Sequence, residues 1–221
     1  MLKFAKDRRR WLRWLYESKK RFGLCILNYT VTSNHIHLLI QDTGQRETIP
    51  NSIQLIAGRT AQEYNNRKRR KGAFWEDRYH ATAVQGGDHL LRCLSYIDLN
   101  MVRAGAVKHP SNWAFCGYNE LQAPPKRYTL IDRKQLMMLL GIDNSERFIK
   151  IYKGRVDTVL KMNDNARDEK WTRSIAVGNH NFVGMVKDRL GYKAIGRKVS
   201  GGGEDFELRE NITPYRASFP D

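Results

Sequence analysis

Between residues 5 and 22 the apolar positions Trp11, Leu12, Trp14, Leu15 and Phe22 return at helical spacing, and Gly23 is a natural stop. The pattern then changes. Leu24 to Val31 is dense in branched and apolar residues, and Ile36, Leu38, Leu39 and Ile40 continue it after the polar break Thr32-Ser33-Asn34. Two strands joined by a turn, hence a hairpin, are predicted here. A polar connection over 41–51 leads to a second helix over 51–71, whose apolar side is Ile53, Leu55, Ile56, Ala57, Ala61 and Tyr64. Residues 73–84 are rich in aromatics and end in a strand. Gly86 and Gly87 turn the chain, and Asp88 caps a third helix running to about Met101, with Leu90, Leu91, Leu94, Ile97 and Leu99 as its apolar contacts. Residues 119–126, with Pro124 and Pro125, read as a linker. Beyond it the pattern predicts one helix ending at Gly141, a second from Ser145 to about Val156, and a third over 179–190 stopped by Gly191. Gly201 to Gly203 reads as flexible, and no internal repeat is present.

Charge changes this picture. The 221 residues carry a formal net charge of +16, and the pI is about 9.9. An excess of that size predicts a polyanionic partner, nucleic acid before membrane. No run approaches the ~20 apolar residues of a membrane span, and no apolar core follows the basic N-terminus to make a secretory signal. Cys25, Cys93 and Cys116 are too widely spaced for a zinc framework and read as reduced core thiols of a cytoplasmic protein. Arg8, Arg9, Arg10, Arg13, Lys19, Lys20 and Arg21 surround the stripe of the first helix, where a solvated face and a DNA contact fit equally. The run Arg67, Lys68, Arg69, Arg70 and Lys71 at the end of the second helix exceeds what the helix dipole calls for and favours phosphate contact.

The chemistry concentrates on the second strand. Side chains alternate along a strand, so His35 and His37 share one face, roughly 7 Å apart, and Ile36, Leu38 and Ile40 share the other. Two imidazoles so placed can bind one divalent metal or grip a phosphate; they also fit a plain polar face. On the third helix Tyr96 and Asn100 are four residues apart, hence on one face.

His35-Ile36-His37 resembles the HUH motif of the single-tyrosine transposases. Ser95 to Gly105, containing Tyr96-Ile97-Asp98-Leu99-Asn100-Met101-Val102-Arg103-Ala104-Gly105, resembles their catalytic-tyrosine helix in the form found in the REP-associated tyrosine transposases. Phe74-Trp75-Glu76-Asp77-Arg78-Tyr79 is similar to the family's segment between second helix and last strand. Met101 departs from the family's usual proline. The resemblance covers residues 1 to about 121. It implies a catalytic domain over 1–122 and a mostly helical accessory region over 127–221. The fold it implies is α+β: a ferredoxin-like antiparallel sheet, β-α-β-β-α-β, with helices on one face, plus a helical C-terminal region. The first strand of that arrangement has no β-rich counterpart ahead of the first helix. The expectation is therefore an upstream start, a decayed copy, or another segment in that place, with Arg127 to Ile131 as the other β-like run.

The resemblance further implies a mechanism. His35, His37 and Asn100 would hold Mg²⁺ or Mn²⁺, and Tyr96 would be the nucleophile that cleaves single-stranded DNA. A 5′-phosphotyrosine link would form, and strands would be rejoined from it. Arg67, Lys68, Arg69, Arg70, Lys71, Trp75, Arg78, Tyr79 and Arg103 would contact the DNA, which would bear a hairpin or palindrome. A homodimer is left open. His80 and His89 fall outside the motif. The rival reading is a non-catalytic or decayed nucleic-acid-binding protein of the same descent, because the ferredoxin-like sheet also serves RNA-binding modules.

Overall fold

The structure is a computed structural model and describes residues 2–76, 79–163 and 166–210. In order the elements are α1 (Ala5–Phe22), β1 (Cys25–Val31), β2 (Ile36–Gln41), α2 (Thr48–Lys68), β3 (Ala83–Val84), α3 (Asp88–Asp98), α4 (Asn100–Arg103), α5 (Tyr118–Gln122), α6 (Arg133–Leu139), α7 (Ser145–Lys161), α8 (Lys170–Arg173), β4 (Ala176–Gly178), α9 (His180–Leu190), β5 (Arg197–Gly202) and β6 (Asp205–Glu210). The α+β class is therefore as the sequence predicts. The chain forms two units, Met1–Arg78 with Leu90–Arg167, and Tyr79–His89 with Asp168–Asp221.

In the first unit α1 has the predicted bounds. Gly23 ends it in the left-handed region, φ 69°, where its N–H reaches Lys19 O at 3.0 Å. β1 and β2 form the predicted antiparallel hairpin, with Thr30 opposite His37 and Val31 opposite Ile36. A bulge between Ile26 and Asn28 shifts the register. Every residue of β1 is buried, so Asn28 and Thr30 must find partners inside, and both find them on α3. The helix expected to run to residue 71 stops at Lys68, because Arg69 turns left-handed at φ 48°.

The outer edge of β1 is lined by later parts of the chain. Thr30 bridges Cys116, Val31 N–H donates to Phe115 O at 2.9 Å, and Asp132 N–H donates to Ile26 O at 2.7 Å. Arg127 to Ile131 is not a strand. Leu130 and Ile131 are buried, and their N–H groups both end on Glu120 Oε1 at 2.7 Å. Among the described residues no strand pairs with the outer edge of β2.

The division expected between 122 and 127 falls inside the first unit, and α5 occupies part of the stretch read as a linker. The reason is apolar burial: Leu136 of α6 and Phe148, Tyr152 and Val156 of α7 are fully buried in the same core as Leu15, Ile26 and Leu94.

The second unit is a sheet of order β3-β4-β6-β5, with β3 parallel to β4 and the other pairs antiparallel. The accessory region expected to be mostly helical thus contains strands as well as α8 and α9. Ala176, Val183 and Leu208 make its core. The glycines read as flexible close the β5–β6 hairpin instead. A Cβ on Gly201 would lie 2.1 Å from Asp205 O, so only glycine fits there.

Candidate active site

β2 sets the imidazoles and the α3–α4 segment sets the tyrosine and the amide. Pairing with Thr30 fixes His37 opposite a buried residue of β1, and Thr30 in turn holds Ile97 O by its hydroxyl at 3.0 Å. β2 and α3 are therefore tied through one side chain of β1. The His35 and His37 rings meet edge to face with centroids 5.0 Å apart. His37 meets the Tyr96 ring in the same way at 5.9 Å. Asn100 Nδ2 lies 3.0 Å from His37 Nε2, and the Asn100 amide also bonds His35. Four residues picked from the sequence thus converge on one point.

The helix is broken within this group. The third helix expected to run unbroken to Met101 ends at Asp98, and Leu99, at φ −78° and ψ 0°, separates α3 from α4. Leu99 is fully buried and its N–H still reaches Ser95 O at 3.0 Å, so the break bends the chain without detaching it.

The electrostatics favour neutral imidazoles. Burial lowers the His37 pKa to about 4, assisted by neighbouring His35, Arg103 and Arg167. His35 is lowered too, by burial first and by the same two arginines, against the raising effect of its bond to Asn100. His35 Nδ1 lies 2.9 Å from Asn34 Oδ1 and 3.2 Å from the Thr32 hydroxyl. His37 Nε2 faces the Asn100 amide nitrogen as an acceptor. Among the described residues no group of three or more His, Cys, Asp or Glu could hold a metal. A cation here would need two imidazole nitrogens and the amide oxygen of Asn100, a donor set that suits a hard or borderline divalent ion once that amide is turned. The residues fit such an ion.

The family model described as Transposase IS200 like matches residues 3–100. Over that stretch, which is less than half of the chain, the protein is similar to the IS200-like transposases. No curated protein and no solved structure matches the chain. No helix among the described residues is long and apolar enough to cross a membrane.

The other sequence-predicted residues are dispersed. Arg67 pairs with buried Asp7 on α1 and lies over the Tyr64 ring, so it ties α2 to α1. Lys68, Arg69, Arg70 and Lys71 are exposed, although one Arg70 nitrogen donates to Ala73 O at 2.7 Å. Trp75 is half-buried, with its indole N–H on Ala57 O at 3.0 Å and its ring against Phe74. Tyr79 is exposed and belongs to the second unit. Arg78 lies outside the described residues. Arg103 spans Tyr96: its Nη2 donates to Tyr96 O at 2.6 Å and its guanidinium lies 4.0 Å over the Tyr96 ring. Several cations of α1 have structural partners. Arg8 holds Leu2 O, Arg10 pairs with Glu63, and Lys19 donates to Leu130 O at 2.8 Å. His80 and His89 bond the carbonyls of Ser174 and Glu204 within the second unit. All three cysteines are buried and unpaired.

Sequence reasoning missed two features. Arg167 acts on both histidines, yet it stands alone after an unpatterned stretch, with no signal to mark it. Asp98 carried the only available hint, an acid on the apolar side of a helix; burial raises its pKa to about 7 against the lowering effect of bonds from Tyr152, Asn28 and the Tyr118 backbone.

Proposed function

We propose that this protein is a transposase that cleaves and rejoins single-stranded DNA through Tyr96, with His35, His37 and Asn100 as the ligands of Mg²⁺ or Mn²⁺. The observation that carries the reading is the convergence of those four side chains from two distant stretches of chain. A phenol is a weak nucleophile near neutrality, since its ordinary pKa is about 10, so the phosphate must be made electrophilic. A divalent cation held by the two imidazoles and the amide supplies that polarisation and offsets developing charge. Tyr96 Oη attacks phosphorus and forms the 5′-phosphotyrosine bond. The 3′ oxygen leaves with the bonding electrons and gains a proton, matching the one the phenol loses. The link keeps the bond energy, so a second 3′-hydroxyl can reverse the step without ATP. Arg103 and Arg167 place positive charge beside the imidazoles, where a scissile phosphate would sit. Lys68 to Lys71 offer an exposed cationic end for the backbone of a hairpin-bearing strand.

The test is a covalent adduct. Labelled single-stranded DNA with Mn²⁺ should give a band that survives denaturing electrophoresis and is lost in Tyr96→Phe. His35→Ala or His37→Ala should also abolish the band and leave most of the DNA affinity, because the cationic end of α2 is untouched. Cleavage that survives both histidine changes removes the metal assignment. Retained DNA binding with no adduct on any strand favours the non-catalytic binder.

A further inference from the structure

Asp98 lies between Tyr96 and Asn100 in sequence but is 1% exposed, inside the core. Its Oδ1 accepts from Asn28 Nδ2 at 3.1 Å, and its Oδ2 accepts from the Tyr152 hydroxyl at 2.5 Å. The Tyr118 backbone N–H donates to it as well. One residue earlier, Ile97 O accepts from Thr30. β1, the start of α5 and α7 therefore grip the two residues just before the break at Leu99. A buried carboxyl that loses a donor keeps the full cost of its unmet oxygen, and the backbone carrying it moves to find another. Tyr152 has little latitude. It is fully buried, and its ring is stacked on Phe148 with centroids 5.9 Å apart and planes 7° from parallel. α7 lies beyond the residues matched to the transposase family.

We infer that Tyr152 is a positioning residue for the Tyr96–Asn100 site. By holding Asp98 it fixes the segment that carries the phenol and the amide, and so their placement against His35 and His37. This rests on the metal-and-tyrosine reading above. α7 is then part of the catalytic machinery, although it lies some fifty residues downstream of the tyrosine.

Two substitutions separate positioning from stability. Tyr152→Phe keeps the ring and its stack and removes only the donor. Leu136→Ala, on α6, opens the same core and leaves Asp98 and its donors unchanged. The full-length chain is used, with melting curves confirming that each variant is folded at the assay temperature. Mn²⁺ binding is read by electron paramagnetic resonance without DNA, and adduct formation is read in a single turnover. Tyr152→Phe should weaken Mn²⁺ binding and slow the adduct by about tenfold each, as small misplacements of reacting groups do. Its affinity for single-stranded DNA should change less than twofold, about the limit of such titrations. Leu136→Ala should melt at least as early and leave both readouts alone. Asp98→Asn, which retains one carbonyl oxygen where two are needed, should repeat the losses, and it serves as the probe if Tyr152→Phe does not fold. Unchanged Mn²⁺ affinity and rate in Tyr152→Phe overturn the inference, as does Leu136→Ala showing the same losses. A wild type that binds Mn²⁺ without forming an adduct removes the nucleophile assignment and leaves the Mn²⁺ comparison to decide. A wild type that binds no Mn²⁺ overturns both.

Discussion

An imidazole can meet a cation only while it is neutral, and burial keeps His37 neutral well into acid. Its pKa is about 4 in the folded chain against the usual 6.5. Above 6.5 neither folded nor unfolded chain binds the proton, and the full stability is present. Between 6.5 and 4 the unfolded chain takes the proton and the folded chain does not, so stability falls as the pH falls. In chelator-treated protein the melting temperature of the wild type should drop more steeply from about pH 7 to about pH 4.5 than that of His37→Ala. Parallel curves would mean that His37 titrates normally. Much of this site is legible residue by residue. The His35–His37 spacing and the Tyr96–Asn100 spacing each name a face, and the faces do meet. The acid holding the segment from behind was hidden, because nothing local to Asp98 announces a partner 54 residues away.

The elements owe their bounds to terms of very different reach. α1 was readable to the residue because a stripe, a glycine and a left-handed cap agree. The early end of α2 was not, because Arg69 adopts φ 48° with no glycine to mark it. A side chain there costs roughly 1 kcal/mol relative to glycine. Arg69→Gly should therefore raise the melting temperature, as calorimetry would show. The break at Leu99 was equally invisible, since leucine is a good helix former and the bend comes from what grips its neighbours. The cationic end of α2 makes its own prediction. Replacing Arg69, Arg70 and Lys71 together by Gln should reduce the slope of log affinity against log salt by about 2, at about 0.7 for each phosphate contact on a single strand. A slope equal to that of wild type would place the DNA elsewhere.

At the scale of the molecule, the hairpin and the helices after it were legible because their contacts are local. The division into units was not, because it depends on pairings such as β3 with β4, ninety-odd residues apart. A fragment ending at residue 122 lacks Leu136, Phe148, Tyr152 and Val156, all fully buried in the first unit. It should show no cooperative melting and should be cut rapidly by protease; a sharp transition would mean that the core closes without α7. Asn28, Asp98 and Tyr152 lie on β1, α3 and α7, and they meet at a single carboxyl group. Over generations they form one heritable unit spread along the gene. A lineage that replaces the acid gains nothing from the phenol, and the phenol is then free to drift. A recombinant between diverged relatives whose crossover falls between codons 98 and 152 inherits the acid from one parent and its donor from the other.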